Sequence, residues 1–266
     1  MSRFRTIEVS DPPYEAAGLR YITVKTPNLV GRGDISVFVP RQAGDAAAPL
    51  PLVTLLHGVW GSHWVWSQKS GVHLSAQDMI DRGELPPMLI AMPSDGLMFD
   101  GSAYLPHNGK RFDRWIVEDV PDAVIEAGLP TNAGAPRFIA GLSMGGYGAL
   151  RLGAAYADRY AGFAGHSSIT EFEQMKSFVE EPADAYGEPT CERSVLQTMK
   201  DNADRLSSFR FDCGVGDDLI EPNRALHRGL VEAGIEHVYE EHSGGHEWPY
   251  WAKHVRTTLR FFSELA

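Results

Sequence analysis

Residues 141–150 read Gly-Leu-Ser-Met-Gly-Gly-Tyr-Gly-Ala-Leu, and they constrain the fold more than any other stretch of the chain. They follow a short apolar run, residues 137–140, and open a segment with helical spacing. A strand that turns directly into a helix about a serine forces Ser143 into a strained backbone conformation. Side chains two positions to either side would collide with that turn, so Gly141 and Gly145 stand where only glycine fits. The turn leaves the Ser143 hydroxyl exposed at the carboxyl edge of a sheet. The first amides of the helix point at charge that forms beside it.

Around this turn, strand-like and helix-like segments alternate. Residues 19–25 and 35–39 read as early strands, and 52–56, 88–92, 137–140 and 162–165 as short buried ones. Residues 67–82, 112–127 and 145–157 carry helical spacing. The tail then reads strand 209–213, helix 220–233, strand 237–241 and helix 248–265. This rhythm predicts an α/β fold, a mostly parallel central sheet flanked by helices, in one domain over residues 1–266. Residues 169–206 break the rhythm with a polar stretch holding Pro182, Gly187 and Pro189. A connection of that length is expected as a small cap insertion over the site, or as a surface excursion without a role there.

Composition excludes several classes. A net charge of -11 disfavours a phosphate-backbone partner, so no nucleic acid is expected. No apolar run is long enough to span a membrane, and the first residues lack an apolar signal core, so a cytoplasmic protein is expected. Two cysteines, Cys191 and Cys213, are too few for a disulfide framework or a thiolate metal site, and Cys213 is expected reduced in the core.

A serine hydroxyl needs a base within hydrogen-bond reach, and the base needs an orienting carboxylate. Residues 213–219, Cys-Gly-Val-Gly-Asp-Asp-Leu, place Asp217 and Asp218 just after a strand. Either could orient a base, and either could cap the helix that begins near Glu221. His246 lies on a glycine-rich loop, Ser243-Gly-Gly-His-Glu-Trp248, between the last strand and the last helix. Of the 10 histidines, His237 and His242 fall in a strand pattern, and His254 reads as a surface residue of the final helix. Backbone donors for an oxyanion are expected from Met144, after the serine, and from Val59, in the loop His57-Gly-Val-Trp-Gly61. His57 is expected to steady that loop; no acid or cysteine near it has metal-ligand spacing, and no metal is expected. Trp60, Trp64 and Trp66 crowd the same loop, as core packing or as a pocket wall, and Tyr147 joins them as a pocket candidate.

The apolar run, Gly-x-Ser-x-Gly and helix resemble the nucleophile elbow of α/β-hydrolases, whose triad runs Ser, acid, His along the chain. Four blocks resemble the esterase family of that fold, which includes esterase D (S-formylglutathione hydrolase), tributyrin-type esterases, feruloyl esterase domains and mycolyltransferases. They are Leu55-Leu-His-Gly58 with Gly61 and Trp66, residues 141–150, Cys213-Gly with Asp217 and Leu219, and Gly245-His246 with Trp248 and Trp251. The tributyrin-type pattern Cys-Gly-x-x-Asp-x-Leu selects Asp217 as the triad acid. The resemblance implies hydrolysis of short-chain carboxylic esters without a cofactor, by Ser143, His246 and Asp217, on a small-molecule substrate. It also admits acyl transfer to another acceptor, a thioesterase activity, a silent binding module on the same scaffold, and a homodimer or higher homo-oligomer. Residues 92–100 lack the Arg-Ser-Trp-Tyr stretch of tributyrin-type members, and no cysteine follows the oxyanion loop, which disfavours a glutathione thioester.

Overall fold

The computed structural model describes residues 2–187 and 192–266; Cys191 lies outside the described residues. Strands β1 (Thr6–Val9), β2 (Leu19–Thr26) and β3 (Gly31–Phe38) form an antiparallel meander. Strand β4 (Leu52–Leu56) leads through α1 (Val65–Ser70) and α2 (Val72–Asp81) to β5 (Leu89–Pro93). A two-residue pair, β6 (Pro106–His107) and β7 (Lys110–Arg111), precedes α3 (Phe112–Arg114) and α4 (Val120–Glu126). Then come β8 (Arg137–Leu142), α5 (Met144–Ala155), β9 (Gly162–His166), α6 (Val195–Asp201) and β10 (Ser208–Gly214). Helix α7 (Ile220–Glu232), β11 (Val238–His242) and α8 (Trp248–Ser263) complete the chain.

Nine strands make one sheet in the order β1-β2-β3-β5-β4-β8-β9-β10-β11, parallel from β5 through β11. Both faces are covered, as buried parallel strands require. Side chains alternate between the faces with period two. Leu52 and Leu56 of β4 pack toward Tyr147, Leu150 and Trp115, while Val53 and Leu55 pack toward Trp66, Trp251 and Phe262. The chain leaves β4 for β5 on one side and later returns to β8 on the other. Ligand crevices of open α/β sheets form at the carboxyl ends of strands at such a reversal. Here those ends are Leu56 and Leu142.

Three local details differ from the sequence expectation. The helix expected over 67–82 is two helices, broken at Gly71, whose φ of 63° ends α1. The helix expected over 112–127 contains a π-helical turn, Trp115–Asp119, in which the Val120 amide reaches back to the Trp115 carbonyl. Pro121 follows at once and has no amide to give, so the wider turn accommodates it. Strand β1 was not anticipated; it is a mostly exposed edge strand of four residues, too short for the alternation of Ile7 and Val9 to stand out. Among the described residues, no helix is long and apolar enough to cross a membrane.

Candidate active site

The turn from β8 into α5 holds Ser143 at φ 54° and ψ −120°. Its amide donates to the His166 carbonyl at 2.9 Å, which ties the strained residue to the neighbouring strand. Glycine is needed on both sides, at 141 for the turn itself, as the spacing suggested, and at 145 for the end of β4 that packs against it. A Cβ on Gly141 would lie 2.2 Å from the Gly145 carbonyl oxygen, and one on Gly145 would lie 2.3 Å from that of Leu56.

The carboxyl edges of β8, β10 and β11 bring three distant residues together. The Ser143 Oγ lies 3.0 Å from the Nε2 of His246. The Nδ1 of His246 lies 2.9 Å and 3.1 Å from the two oxygens of Asp217. Asp217 is buried and also accepts the Leu219 amide at 2.8 Å. Burial pushes its carboxyl up. The hydrogen bond and charge of His246, with the Leu219 amide and the Ser167 hydroxyl, outweigh burial and hold it below the ordinary carboxylate range. Asp218 is exposed and makes no hydrogen bond to His246 among the described residues. The imidazole is fixed on two further sides: Phe178 stacks on it at 5.7 Å, and Trp251 meets it edge-on at 4.9 Å.

The loop after β4 lies against this group. A Cβ on Gly58 would be 3.3 Å from the Cβ of Ser143, so the loop passes as close as a backbone can. His57 holds the loop from within. Its Nε2 accepts the Asp95 amide at 3.1 Å, so its Nδ1 carries the proton given to the Gly58 carbonyl at 2.7 Å. Both ring nitrogens are thus occupied and His57 is buried, a structural arrangement rather than that of a base. Neither the Val59 amide nor the Met144 amide makes a backbone hydrogen bond outside a regular element among the described residues.

A cavity of about 230 Å³ opens on Ser143 and His246. Its walls are Val59, Trp60, Val65 and Leu142 on one side and Phe178, Trp248 and Trp251 on the other. Of the aromatic candidates read from sequence, only Trp60 lines it. Trp66 is fully buried, and its indole donates to the Leu56 carbonyl at 3.0 Å, beneath the loop rather than in the cavity. Trp64 is half exposed and is not part of the lining. Tyr147 is buried, with its hydroxyl on the Arg193 carbonyl at 2.8 Å, because helix α5 aims that face at the segment following β9. The wall that sequence reasoning missed carries one legible signal: Trp248 and Trp251 stand one helical turn apart just after His246. Phe178 has no such signal, since it belongs to the irregular 169–206 segment. That segment is anchored over the site by Tyr186, whose hydroxyl donates to the Gly101 carbonyl at 3.0 Å, and by the Glu180 amide on Asp100 at 3.0 Å. His254, expected at the surface, is 5% exposed. It stacks on His242 at 4.1 Å because α8 turns this face onto β11.

A larger cavity, about 660 Å³, lies at the amino ends of β8 and β9 among Arg137, Asp158 and Tyr160. It is the more polar of the two and contains none of the groups above.

Residues 28–262 match the model of the family described as "Putative esterase". An acetyl esterase of Caldicellulosiruptor saccharolyticus is 26% identical over 238 residues, covering 82% of this chain and 85% of that protein. Among solved structures, a ferulic acid esterase superposes with a TM-score of 0.77 at 23% identity, covering 98% of this chain and 99% of that one. An S-formylglutathione hydrolase from Staphylococcus aureus superposes with a TM-score of 0.78 at 17% identity, covering 96% and 99%. At such identities the superpositions speak for the fold, the α/β-hydrolase fold. The family match spans nearly the whole chain, so the chain belongs to this esterase family and is an ester-hydrolysing enzyme.

Proposed function

We propose that the protein is a serine carboxylesterase that hydrolyses short-chain carboxylic esters of small molecules through an acyl-enzyme. The observation that carries this reading is the continuous line from the Ser143 Oγ through His246 to Asp217, at 3.0 Å and 2.9 Å. His246 takes the Ser143 proton as the oxygen attacks the ester carbonyl, and Asp217 holds the imidazole in the required tautomer and stabilises its cation. The Val59 and Met144 amides, free of other backbone partners, receive the oxyanion. The alcohol leaves with the proton from His246. Water, activated by the same base, then attacks the acyl-Ser143 carbonyl and releases the acid.

The small apolar cavity, closed by Phe178 and two tryptophans, supports short acyl groups. The acetyl esterase name of the curated relative points the same way. The test is hydrolysis of p-nitrophenyl esters from acetate to decanoate by wild type and Ser143→Ala. The reading expects turnover on short chains that falls by several orders of magnitude in the variant. Full activity in Ser143→Ala would refute it, as would a folded wild type inert toward the whole series.

A further inference from the structure

One row of residues crosses the sheet directly behind the reactive groups. Leu142, His166, Asp212 and Glu240 are register partners on β8, β9, β10 and β11. His166 and Asp212 are fully buried, as is Arg210, two residues before Asp212 on the same face. Helix α8 covers them with Tyr250 and Thr258, also buried.

The hydrogen bonds in this cluster have one consistent direction. An arginine only donates, so the Thr258 hydroxyl accepts from Arg210 at 2.7 Å. Its own hydrogen is left for the His166 Nε2 at 3.2 Å. The His166 Nδ1 then donates to Asp212 at 2.9 Å. Asp212 accepts twice more, from the Tyr250 hydroxyl at 2.9 Å and from Arg210 at 3.0 Å. A buried ionic cluster is costly to desolvate and gives weak support to stability as such. Its placement suggests another use.

The same residues touch the backbone beside Ser143 and beside His246, and reach the loop of Asp217 through Gly244. The His166 carbonyl takes the Ser143 amide at 2.9 Å, and the Asp212 carbonyl takes the Ser167 amide at 2.8 Å. The Tyr250 ring lies under Gly244, in the loop of His246, so closely that a Cβ there would be 2.7 Å from its Cδ2. The Gly244 carbonyl in turn accepts the Gly216 amide at 2.9 Å, one residue before Asp217. Tyr250 therefore stands where the base loop and the acid loop meet, with its hydroxyl fixed to Asp212 of β10, which in turn accepts from His166, the β9 residue whose carbonyl holds the Ser143 amide. It does not line the cavity.

We propose that Tyr250 is a positioning residue for the esterase site: its hydroxyl on Asp212 locks the His246 loop to β10 and, through His166, to the strand whose carbonyl holds Ser143. This rests on the triad reading above. Misplacing a reacting group by a fraction of an ångström lowers turnover without weakening substrate binding. Tyr250→Phe, in the full chain, keeps the ring under Gly244 and removes only the hydroxyl. Asp212 retains its two other donors, so the fold should survive.

The expected result with p-nitrophenyl acetate is a kcat about tenfold lower per titrated active site, with KM within about twofold. Phosphonylation of Ser143 by a fluorophosphonate should slow in the same proportion. Thr258→Val, which removes the hydroxyl at the far end of the same chain of bonds, is the second variant and should move kcat in the same direction if Tyr250→Phe does not fold. Wild-type kcat in a folded Tyr250→Phe, with only its melting temperature lowered, would overturn the proposal. The same result in Thr258→Val would overturn it where that variant stands in. Failure of the triad reading looks different: a Ser143→Ala protein as active as wild type would overturn both readings, whatever Tyr250→Phe does.

Discussion

Replacing Gly145 by alanine tests whether the turn at Ser143 and the loop after β4 are held by direct backbone contact. The added Cβ would lie 2.3 Å from the Leu56 carbonyl oxygen and 2.5 Å from that of His57. Both are backbone atoms at the end of β4, so neither can rotate away. The Leu56 oxygen also holds the Trp66 indole, and the His57 oxygen holds the Tyr104 hydroxyl, each at 3.0 Å. To restore an allowed contact, α5 and β4 must separate by about 0.7 Å. Overpacking of this kind costs roughly 1–3 kcal/mol. For a chain of this size that is a fall in Tm of about 2–4 °C per kcal/mol. The separation also moves the Val59 amide away from the Met144 amide. A displacement approaching 1 Å costs about a hundredfold, so kcat should fall by roughly 30–100-fold with little change in KM. Calorimetric melting, and kcat on p-nitrophenyl acetate normalised by active-site titration, measure both parts. A Gly145→Ala protein with wild-type Tm and wild-type kcat would show that no such contact governs the turn.

The remaining predictions concern the acid, the cavity wall and the buried histidines. Asp217→Asn should lower kcat by about 10⁴, the loss for the equivalent change in serine proteases, because the amide no longer selects the working tautomer of His246. Its melting temperature should change little, since the amide oxygen can still accept from Leu219; a loss of kcat below about tenfold would remove Asp217 from the triad. Phe178→Ala opens one wall of the cavity and should raise KM for acetate while extending activity to longer acyl chains. An unchanged chain-length profile would place the acyl group elsewhere. Burial pushes His254 down to about 4, and His63, His73 and His107 are lowered by burial as well. The unfolded chain takes up those protons first, so this stability is complete above about pH 6.5 and is lost as pH falls toward 4. For His254 the loss is at most about 3 kcal/mol. The urea midpoint should therefore drop between pH 7 and pH 4.5, and drop less in His254→Leu. An equal drop in that variant would assign the effect to other groups.

The residues that meet at the candidate site were legible in sequence because most are marked by a local constraint. Gly141 and Ser143 announce a turn whose sterics involve only neighbouring residues, whereas the glycine at 145 is required by the carbonyls of Leu56 and His57. Asp217 and His246 each follow a strand run on glycine-bearing loops at the edge of a parallel sheet, although it was the family pattern that separated Asp217 from Asp218. The alternation of runs was enough for the α/β architecture, because helical and strand periodicities differ and need no knowledge of partners. Side-chain destinations were not legible in the same way. Trp60, Trp64 and Trp66 share one loop, yet one lines the cavity, one is half exposed and one is buried under Leu56. Which is which depends on α8, nearly two hundred residues later, whose Trp248 packs edge-on against Trp66. Phe178 reaches His246 only because Tyr186 and Asp100 hold an irregular segment across the site. The row His166, Asp212 and Glu240 exists only once three strands are in register. Local sterics and periodicity act over a few residues and are written in the order of the chain. Packing and register join residues far apart in it, and only the tertiary structure decides them.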